Sequence, residues 1–445
     1  MNSVVHLRYH HVKKELLTNL INITVVKQMR IETILNKCQK FKSFFYSQAT
    51  WDRLSNNETC IKVHVLARKN GILLCSCCGK PAKHYDTLAM RDFEFVPLWG
   101  YRVFLTYRMR RVTCRKCGVK VESVPWASGK YTLTKTYMKF LSDWARKLSW
   151  QETARSFKTS WQKVFTAVKF VVEYGLKNRD ISGVESIGVD EIALQRGHKY
   201  LTVVYQIDRH CTRLLWVGKE RTVKTMLRFY RSFGKEWAAR LKQVCSDMWK
   251  PYLKVIKKKT PQAIHILDRF HIVAQINKAI DEVRASEHKR MQRDGYEPIL
   301  KHSRWCLLKR KENLSEKQEV KLNDLLRYNL QSVRAYLLKE DFNGFWEYVS
   351  PGWAGKFLDR WCNRVMRSKI EPMKKIAKTI RKHKPLILNW FRAKKVFSSG
   401  IVEGFNNTVK VVTKNAYGFR SFKCAEIALY HKLGKLPEPL DTHRF

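Results

Sequence analysis

Two matched cysteine pairs constrain the fold of this chain more than any other feature. Cys75 and Cys78 form the first C-x-x-C pair, Cys114 and Cys117 form the second, and a glycine follows each pair. Glycine lets the backbone turn tightly, so that backbone N–H groups can point at a thiolate. Four such sulfurs suit tetrahedral zinc, so two segments separated by 35 residues are expected to meet.

Residues 70–125 are therefore predicted to form a zinc ribbon. A shell of four cysteines leaves no open coordination position, so the Zn²⁺ is expected to be structural. The intervening segment FEFVPLWGYRVFLTYRMRRV alternates as β-strands do, and Arg108 and Arg110 on it are candidate DNA contacts. Cys77 is not predicted to be a ligand, and the seven scattered cysteines are interpreted as buried thiols.

The charge of the chain indicates a polyanionic partner. The 445 residues contain 87 Lys and Arg against 38 Asp and Glu, which gives a formal net charge of +49. Such an excess destabilises a compact state by self-repulsion unless a polyanion neutralises it. Nucleic acid is the favoured partner and an anionic membrane surface the second candidate. No apolar run approaches the roughly 20 residues of a membrane span. Of the two candidates, nucleic acid is therefore the predicted partner and a membrane is not.

The N-terminal 69 residues are a segment of unknown role. They lack the continuous apolar core of a signal peptide, so we expect a cytoplasmic, DNA-associated protein whose cysteines are thiols or metal ligands. Met29 is an alternative start to Met1.

Residues 130–178 carry the pattern of a helix-turn-helix. Ser149 and Glu152 form a capping box at the start of a short helix, and a longer basic helix follows after a tight connection. Gln162, Lys163 and Lys169 on the longer helix are the predicted DNA contacts. A plain αα-hairpin within a larger helical domain is the alternative.

Residues 184–274 change to the alternation that is typical of strands. Three β-rich runs, ESIGVDEIAL, KYLTVVYQID and TRLLWVGKE, predict an antiparallel meander. An amphipathic helix, a short strand ending in Asp247, a helix beginning with proline and a strand in QAIHILDRFHI follow. The order βββαβαβ, with the last strands parallel to the first, is typical of an RNase H-like fold.

The predicted fold class is α+β multidomain, with an RNase H-like α/β catalytic domain that an all-α insertion interrupts. The first part of this domain is residues 184–274 and the helical insertion is residues 275–395. A Glu-bearing helix in residues 396–425 completes the domain, and residues 426–445 are a C-terminal tail.

Three acids in this domain are candidate catalytic residues. Asp190 lies in the middle of an apolar strand, an expensive place for an unpaired charge, and Asp247 ends the strand expected beside it. Glu403 starts a helical face that also presents Asn406, Asn407 and Lys410, at i+3, i+4 and i+7. Phosphoryl transfer on DNA needs an aligned nucleophile and charge neutralisation, which carboxylate-bound Mg²⁺ supplies. The face could ligate metal through Glu403 and hold phosphate through its last two members.

The motifs, in this order, resemble insertion-sequence transposases of the Asp-Asp-Glu class, most closely the ISL-three family. The resemblance spans Cys75 to Phe422. It rests on the double C-x-x-C ribbon, the helix-turn-helix and these segments: VPWA (124–127), VDE with GHKYLTVV (189–204), SDMWKPY (246–252), DRFHIV (268–273) and VEGFNNTVK with AYGFR (402–420).

The resemblance implies that Asp190 and Asp247 bind the catalytic Mg²⁺ (or Mn²⁺) and that Glu403 is the third acid. It implies excision and joining of a mobile element by hydrolysis and strand transfer, without a covalent enzyme–DNA intermediate. The ribbon and the helix-turn-helix are expected to bind terminal inverted repeats. Double-stranded DNA, as element ends and target, is the expected partner, bound by a homodimer or a higher oligomer.

Two questions stay open at the level of sequence. Asp268 and His271 match a C/D-x-x-H motif of related transposases and are expected near the site, but a rival assignment makes Asp268 the second acid. Asp247 is preferred because it ends the first strand after the helix. The rival functions are a catalytically inactive, repurposed DNA-binding protein and an RNA-processing nuclease.

Overall fold

The chain folds as two compact units, each with one five-stranded sheet. The computed structural model describes residues 30–195, 199–394, 399–416, 418–419 and 421–439, without the side chains of residues 194–195, 199 and 399–403. One unit is Met1–Asn178 together with Pro437–Phe445, and the other is Arg179–Leu436. The chain is therefore an α+β protein with mixed sheets and many helices.

The sheet of the first unit includes strands that precede the cysteine pairs. Helix α1 (Ile31–Cys38) comes first, and the strands are β1 (Phe44–Arg53), β2 (Thr59–Ala67), β3 (Lys83–Leu98), β4 (Tyr101–Cys114) and β5 (Gly118–Val121). Their order is β1-β2-β4-β3 with β5 against β4, and only the β2–β4 pair is parallel. The boundary predicted at residue 69 thus falls within a sheet that continues on both sides of it.

Trp126 is the centre of the core of this unit. Its side chain is 1% exposed, and the rings of Phe44 and Tyr107 meet it edge-on at centroid distances of 5.0 and 5.3 Å. The rings of Phe41 and Phe93 also pack against Trp126, at centroid distances of 5.6 and 6.1 Å. Aromatic pairs in such tilted and edge-on arrangements add to the stabilisation from burial alone, so the segment after β5 is held against the sheet.

Three helices follow the sheet, and the last two are the short and the longer helix that the sequence predicts. They are α2 (Lys135–Lys147), α3 (Trp150–Ser156) and α4 (Trp161–Asn178). The capping box at α3 is confirmed, because the Ser149 hydroxyl accepts from the Glu152 N–H at 3.1 Å and the Ser149 N–H donates to the Glu152 carboxylate at 2.9 Å.

The strands of the second unit have the order along the chain and the directions that the sequence predicts, and one short helix before the fourth strand is additional to the predicted pattern. Its strands are β6 (Ser186–Gln195), β7 (Lys199–Asp208), β8 (Cys211–Lys219), β9 (Gln243–Ser246) and β10 (Ile264–Leu267), in the order β10-β9-β6-β7-β8. The pairs β6–β7 and β7–β8 are antiparallel, whereas β9 runs parallel to β6 and β10 runs parallel to β9.

Helices α5 (Val223–Phe233), α6 (Lys235–Ala239) and α7 (Lys250–Lys259) cover one face of this sheet. Their apolar residues, such as Met226, Phe229 and Ile256, form one buried cluster with Val189 and Val204 of the strands. Because strand side chains alternate between faces, Asp190 is expected on the face opposite its neighbour Val189.

Helices dominate the chain beyond β10. They are α8 (Arg269–Arg293), α9 (Arg304–Leu308), α10 (Glu316–Leu325), α11 (Gln331–Asn343), α12 (Pro351–Arg367), α13 (Glu371–Arg392), α14 (Ser399–Asn415) and α15 (Phe422–Leu433). The strand predicted in residues 262–272 ends at Leu267, because Asp268 caps α8 by accepting from the Phe270 N–H at 2.9 Å. No helix among the described residues is long and apolar enough to cross a membrane.

A buried carboxylate joins two of these helices. Glu287 of α8 is 4% exposed and accepts hydrogen bonds from the backbone N–H groups of Gln331 and Ser332, both at 2.8 Å, and from the Ser332 hydroxyl at 2.6 Å. These donors lie at the start of α11, where the first N–H groups of a helix have no partner within the helix. Glu287 therefore caps a helix distant in sequence.

Replacement of Glu287 by Ala is expected to lower the free energy of unfolding by about 2–4 kcal/mol, because three buried donors lose their acceptor. Urea unfolding of the full chain measures this change. The control is Glu282→Ala, an exposed position on the same helix, which should change the free energy of unfolding by less than about 0.5 kcal/mol. Equal effects of the two substitutions would contradict the capping role.

Candidate functional site

Three aspartates lie at the same level of the second sheet, one on β6 and two just after the ends of β9 and β10. Gly188 of β6 pairs with Cys245 of β9, and Cys245 pairs with Ile266 of β10. Asp190, Asp247 and Asp268 each follow one of these paired residues by two positions. The strands β9 and β10 end just before their aspartates, whereas β6 continues past Asp190. The parallel arrangement therefore gathers these acids at the carboxyl ends of β9 and β10, where ligands commonly bind in such sheets.

Asp190 is buried, with 7% of its surface exposed. One carboxylate oxygen accepts from the Glu191 N–H at 2.7 Å and lies 3.8 Å from Nε2 of His271, and the other accepts from the Asn406 amide. Burial raises the pKa of Asp190, while the charge of His271 and these two hydrogen bonds oppose the rise. The carboxylate is thus held from three directions in a site of low exposure.

His271 connects Asp190 to Asp268. Nδ1 of His271 lies 3.1 Å from a carboxylate oxygen of Asp268, and Asp268 is itself 7% exposed. Burial disfavours the charged imidazole, but the hydrogen bond to Asp268 and the charges of Asp190, Asp268 and Asp247 outweigh it and raise the pKa of His271 to about 9. The surrounding carboxylates therefore favour the charged imidazole.

Asp247 is held by the chain around it. Its Oδ1 accepts from the Trp249 N–H at 3.0 Å, and its Oδ2 accepts from Nη2 of Arg221 at 3.0 Å. Nε of the same Arg221 lies 2.5 Å from Oε1 of Glu191. Burial and the neighbouring charge of Asp247 raise the pKa of Glu191 to about 8. A single guanidinium thus faces two carboxylates.

The cluster is acidic although the chain as a whole is strongly basic. Four carboxylates, those of Asp190, Glu191, Asp247 and Asp268, face two cations, Arg221 and His271. Carboxylate oxygens are the donors that a divalent cation of the Mg²⁺ type prefers. Among the described residues, the group whose possible metal ligands all lie within 4.8 Å of one another is the four cysteines and not these acids.

Helix α14 meets this cluster through Asn406. The Tyr205 hydroxyl lies 3.4 Å from Oδ1 of Asn406 while the Asn406 amide donates to Asp190, and Phe405 stacks on the Tyr205 ring at 4.5 Å. Glu403 lies three residues before Asn406 and so on the same helical face. The side chain of Glu403 is outside the described residues.

Asn407 and Lys410, predicted to hold phosphate, are exposed on α14. The residue of α14 that donates a hydrogen bond to Asp190 is Asn406. The sequence pattern places Asn406 on the same helical face, but Asn406 is not among the predicted site residues. Glu191 and Arg221 also belong to the site and are not among the predicted residues. Glu191 adjoins Asp190 in sequence, whereas nothing in the sequence around Arg221 indicates its contact with Asp247.

The four cysteines of the C-x-x-C pairs converge. Their sulfur atoms all lie within 4.8 Å of one another, and Sγ of Cys78 is 3.6 Å from Sγ of Cys114. Tetrahedral zinc with Zn–S bonds of about 2.3 Å requires sulfurs roughly 3.8 Å apart. The backbone N–H groups of Lys116 and Cys117 lower the pKa of Cys114, which favours its thiolate. The cluster could therefore bind zinc.

Two of the predicted DNA contacts have acidic partners inside the protein. Arg110 forms a bidentate ion pair with buried Glu122 at 2.7 Å, and Nζ of Lys163 lies 2.6 Å from buried Glu94. Both cations are thus engaged in holding the first unit together.

Three other predicted contacts are less engaged. Lys169 is 3.8 Å from Glu173 on the same helix. Arg108 and Gln162 are exposed, and no acid of the described part of the chain forms an ion pair with Arg108.

Known proteins match most of the chain. Residues 187–429, from β6 into α15, match the model of a family described as transposase. The transposase for insertion sequence element IS1001 of Bordetella parapertussis is 31% identical over 352 residues, which are 78% of this chain and 86% of that protein. The transposase for IS1557 of Mycobacterium tuberculosis (strain CDC 1551 / Oshkosh) is 30% identical over 372 residues, 78% of this chain and 82% of that protein.

Replacement of Asn406 by Ala is expected to loosen α14, because the helix loses its hydrogen bond to Asp190. A net loss of about 1–1.4 kcal/mol corresponds to roughly five- to tenfold faster amide hydrogen exchange in this helix. Hydrogen exchange followed by mass spectrometry measures the change. The exposed neighbour Asn407→Ala is the matched control, and equal exchange in both variants would refute the contact.

Proposed function

Because this chain belongs to the ISL-three family of insertion-sequence transposases, we propose that it cuts and joins DNA at a metal-dependent Asp-Asp-Glu site. The site consists of Asp190, Asp247 and Glu403. The second unit is then an RNase H-like catalytic domain, which the helices between β10 and α14 interrupt. Its antiparallel β6–β7–β8 meander followed by the parallel strands β9 and β10 supports this assignment.

The hydrogen bond between Asn406 and Asp190 carries this proposal. It joins two residues that are 216 positions apart in sequence. It attaches the helix that bears Glu403 to the strand that bears the first acid, and Glu403 lies one turn away on the same face. A site assembled from a strand and a late helix needs such an attachment, because the third acid must return across the helical insertion.

Asp247 is the preferred second acid. It follows β9, the direct neighbour of β6, and Asp268 follows β10, one strand further away. Both oxygens of each aspartate have partners, so the position next to β6 decides the preference for Asp247. Asp268 and His271 then hold the site in shape, and His271 supports the charge of Asp190.

The residues present suit a divalent metal ion. Asp190 on β6 and Asp247 at the end of β9 supply carboxylate oxygens, which are the donors that a divalent ion prefers. Asp190, Asp247 and Glu403 would hold Mg²⁺ or Mn²⁺. When bound, such ions activate the attacking water or 3′-hydroxyl and neutralise charge on the phosphate oxygens. The protein orients the acids and keeps the first of them out of bulk water.

The first unit is proposed to bind the terminal inverted repeats of the element. Arg108, Gln162 and Lys169 are its proposed DNA contacts, whereas Arg110 and Lys163 are engaged by Glu122 and Glu94. The cysteine cluster binds structural Zn²⁺, because all four positions are filled by protein sulfur. The protein acts in the cytoplasm as a dimer or higher oligomer on double-stranded DNA, with the element ends and the target as its two substrates.

Cys75→Ser is expected to remove zinc, because the buried thiolate of Cys75 is one of the four ligands. Purified wild-type protein should contain about one zinc per chain and the variant nearly none, as measured by elemental mass spectrometry. The exposed Cys77 lies between two ligands, so Cys77→Ser is the matched control and should retain zinc. Equal zinc contents in the two variants would exclude the proposed cluster.

Asp190→Ala, Glu403→Ala and Asp247→Asn are each expected to slow strand transfer of repeat-ended duplex DNA at least about a thousandfold, because each removes a metal-binding charge. Repeat binding, measured by fluorescence anisotropy, should change less than about threefold, since phosphate contacts elsewhere dominate affinity. The rate is measured in Mg²⁺ with a labelled element end.

Asp268→Asn is the comparison that separates the two candidate second acids. Asparagine can still cap α8, so the fold is retained and only the charge changes. We expect a loss of about tenfold at most, because Asp268 acts through His271. An active Asp247→Asn together with an inactive Asp268→Asn would transfer the role of second acid to Asp268.

A further inference from the structure

Arg221 is aimed at the acidic cluster by an unusual turn. Glu220, the residue before it, has φ of 72°, in the left-handed region that non-glycine residues seldom adopt. The turn is fixed on both sides, since the Glu220 N–H donates to the Tyr200 carbonyl at 2.9 Å and the Thr202 hydroxyl donates to the Glu220 carbonyl at 2.7 Å. Backbone strain of this kind persists only where the surroundings impose it.

A buried hydroxyl supports the same turn from the opposite side. The Tyr252 hydroxyl, on α7, lies 2.7 Å from the hydroxyl of Thr202, and both side chains are buried. Strand β7, helix α7 and the turn before α5 are therefore connected through these two hydroxyl groups. The path of the chain at Arg221 is set by packed elements and not by the arginine itself.

The guanidinium of Arg221 lies between two acids and an aromatic ring. It is 3.0 Å from Asp247 and 2.5 Å from Glu191, and its carbon lies 4.5 Å from the centroid of Trp249. The backbone N–H of Trp249 also donates to Asp247. A planar, rigid donor held over a ring loses little freedom in keeping one orientation, which distinguishes arginine from lysine at such a place.

We propose that Arg221 is a positioning residue for the transposition chemistry, which orients Asp247 and limits the affinity of the acidic cluster for its metal ion. This inference rests on the proposed function. Arg221 touches Asp247 through one nitrogen and Glu191 through another, so it fixes the carboxylate that is proposed to bind metal. Its positive charge lies beside the same acids and opposes the approach of a second cation.

Removal of the positive charge of Arg221 should change metal affinity and catalytic rate in opposite directions. In Arg221→Gln the cluster keeps four carboxylates with one cation fewer, so its affinity for a divalent ion should increase about tenfold. The orientation of Asp247 is lost at the same time, so strand transfer should slow by about tenfold or more. A residue that only stabilised the fold would weaken both metal binding and catalysis.

Calorimetric titration of the full chain with Ca²⁺ alone measures the first effect, and strand transfer in Mg²⁺ measures the second. Arg221→Lys is the second variant. Lysine keeps the positive charge, so we expect Ca²⁺ affinity within about threefold of wild type. Its single nitrogen cannot replace the two guanidinium nitrogens that contact Glu191 and Asp247, so we expect a reduced rate of strand transfer. Arg228→Gln is the matched control, because it removes one exposed cation from the following turn of α5 and its described contact is only with Thr225.

Tighter Ca²⁺ binding with slower transfer in Arg221→Gln, and neither change in Arg228→Gln, supports the inference. Weaker Ca²⁺ binding in both Arg221 variants, or unchanged transfer in either, overturns it. If wild-type protein itself fails to transfer strands, the proposed function has failed, and the Ca²⁺ titration still decides whether Arg221 limits metal affinity.

Discussion

Burial of the Asp190 carboxylate is the constraint on which the arrangement of the second unit depends. An ionised carboxylate away from water is costly unless donors and opposite charges surround it. Here the hydrogen-bond donors are the backbone N–H of Glu191 and the amide of Asn406 on α14. The nearby positively charged group is His271 on α8. The long helical insertion must therefore return to the sheet at a defined place, and Asn406 marks that place. Loss of this one charge would remove contacts that join the strand to α14 and to α8.

Much of this architecture could be predicted from the sequence because its signals are local. The alternation in residues 184–274 predicts the order of strands and helices, and the two C-x-x-C pairs predict a sulfur cluster that the structure confirms as four converging thiols. The capping box at Ser149 is confirmed for the same reason. Asp190, Asp247 and Glu403 as metal ligands stay predictions.

Tertiary contacts explain what the sequence could not predict. Arg110 and Lys163 carry the charge expected of DNA contacts, but each forms an ion pair with a buried acid from another segment. Arg221 reaches Asp247 only because a left-handed turn at Glu220 directs it there. The strands before residue 69 belong to the same sheet as the strands after it, because β2 pairs with β4. The local sequence pattern does not indicate this pairing. The charge of a residue thus shows what it can bind, and its neighbours decide what it does bind.

Acids from β6, from the end of β9 and from α14 are proposed to hold the same divalent ion. Anomalous diffraction from crystals soaked in Mn²⁺ can test this proposal. We expect a strong manganese peak at direct ligand distance from carboxylate oxygens of Asp190, Asp247 and Glu403. A peak bound by Asp190 and Asp268 without Asp247, or one with Glu403 beyond ligand distance, would contradict it.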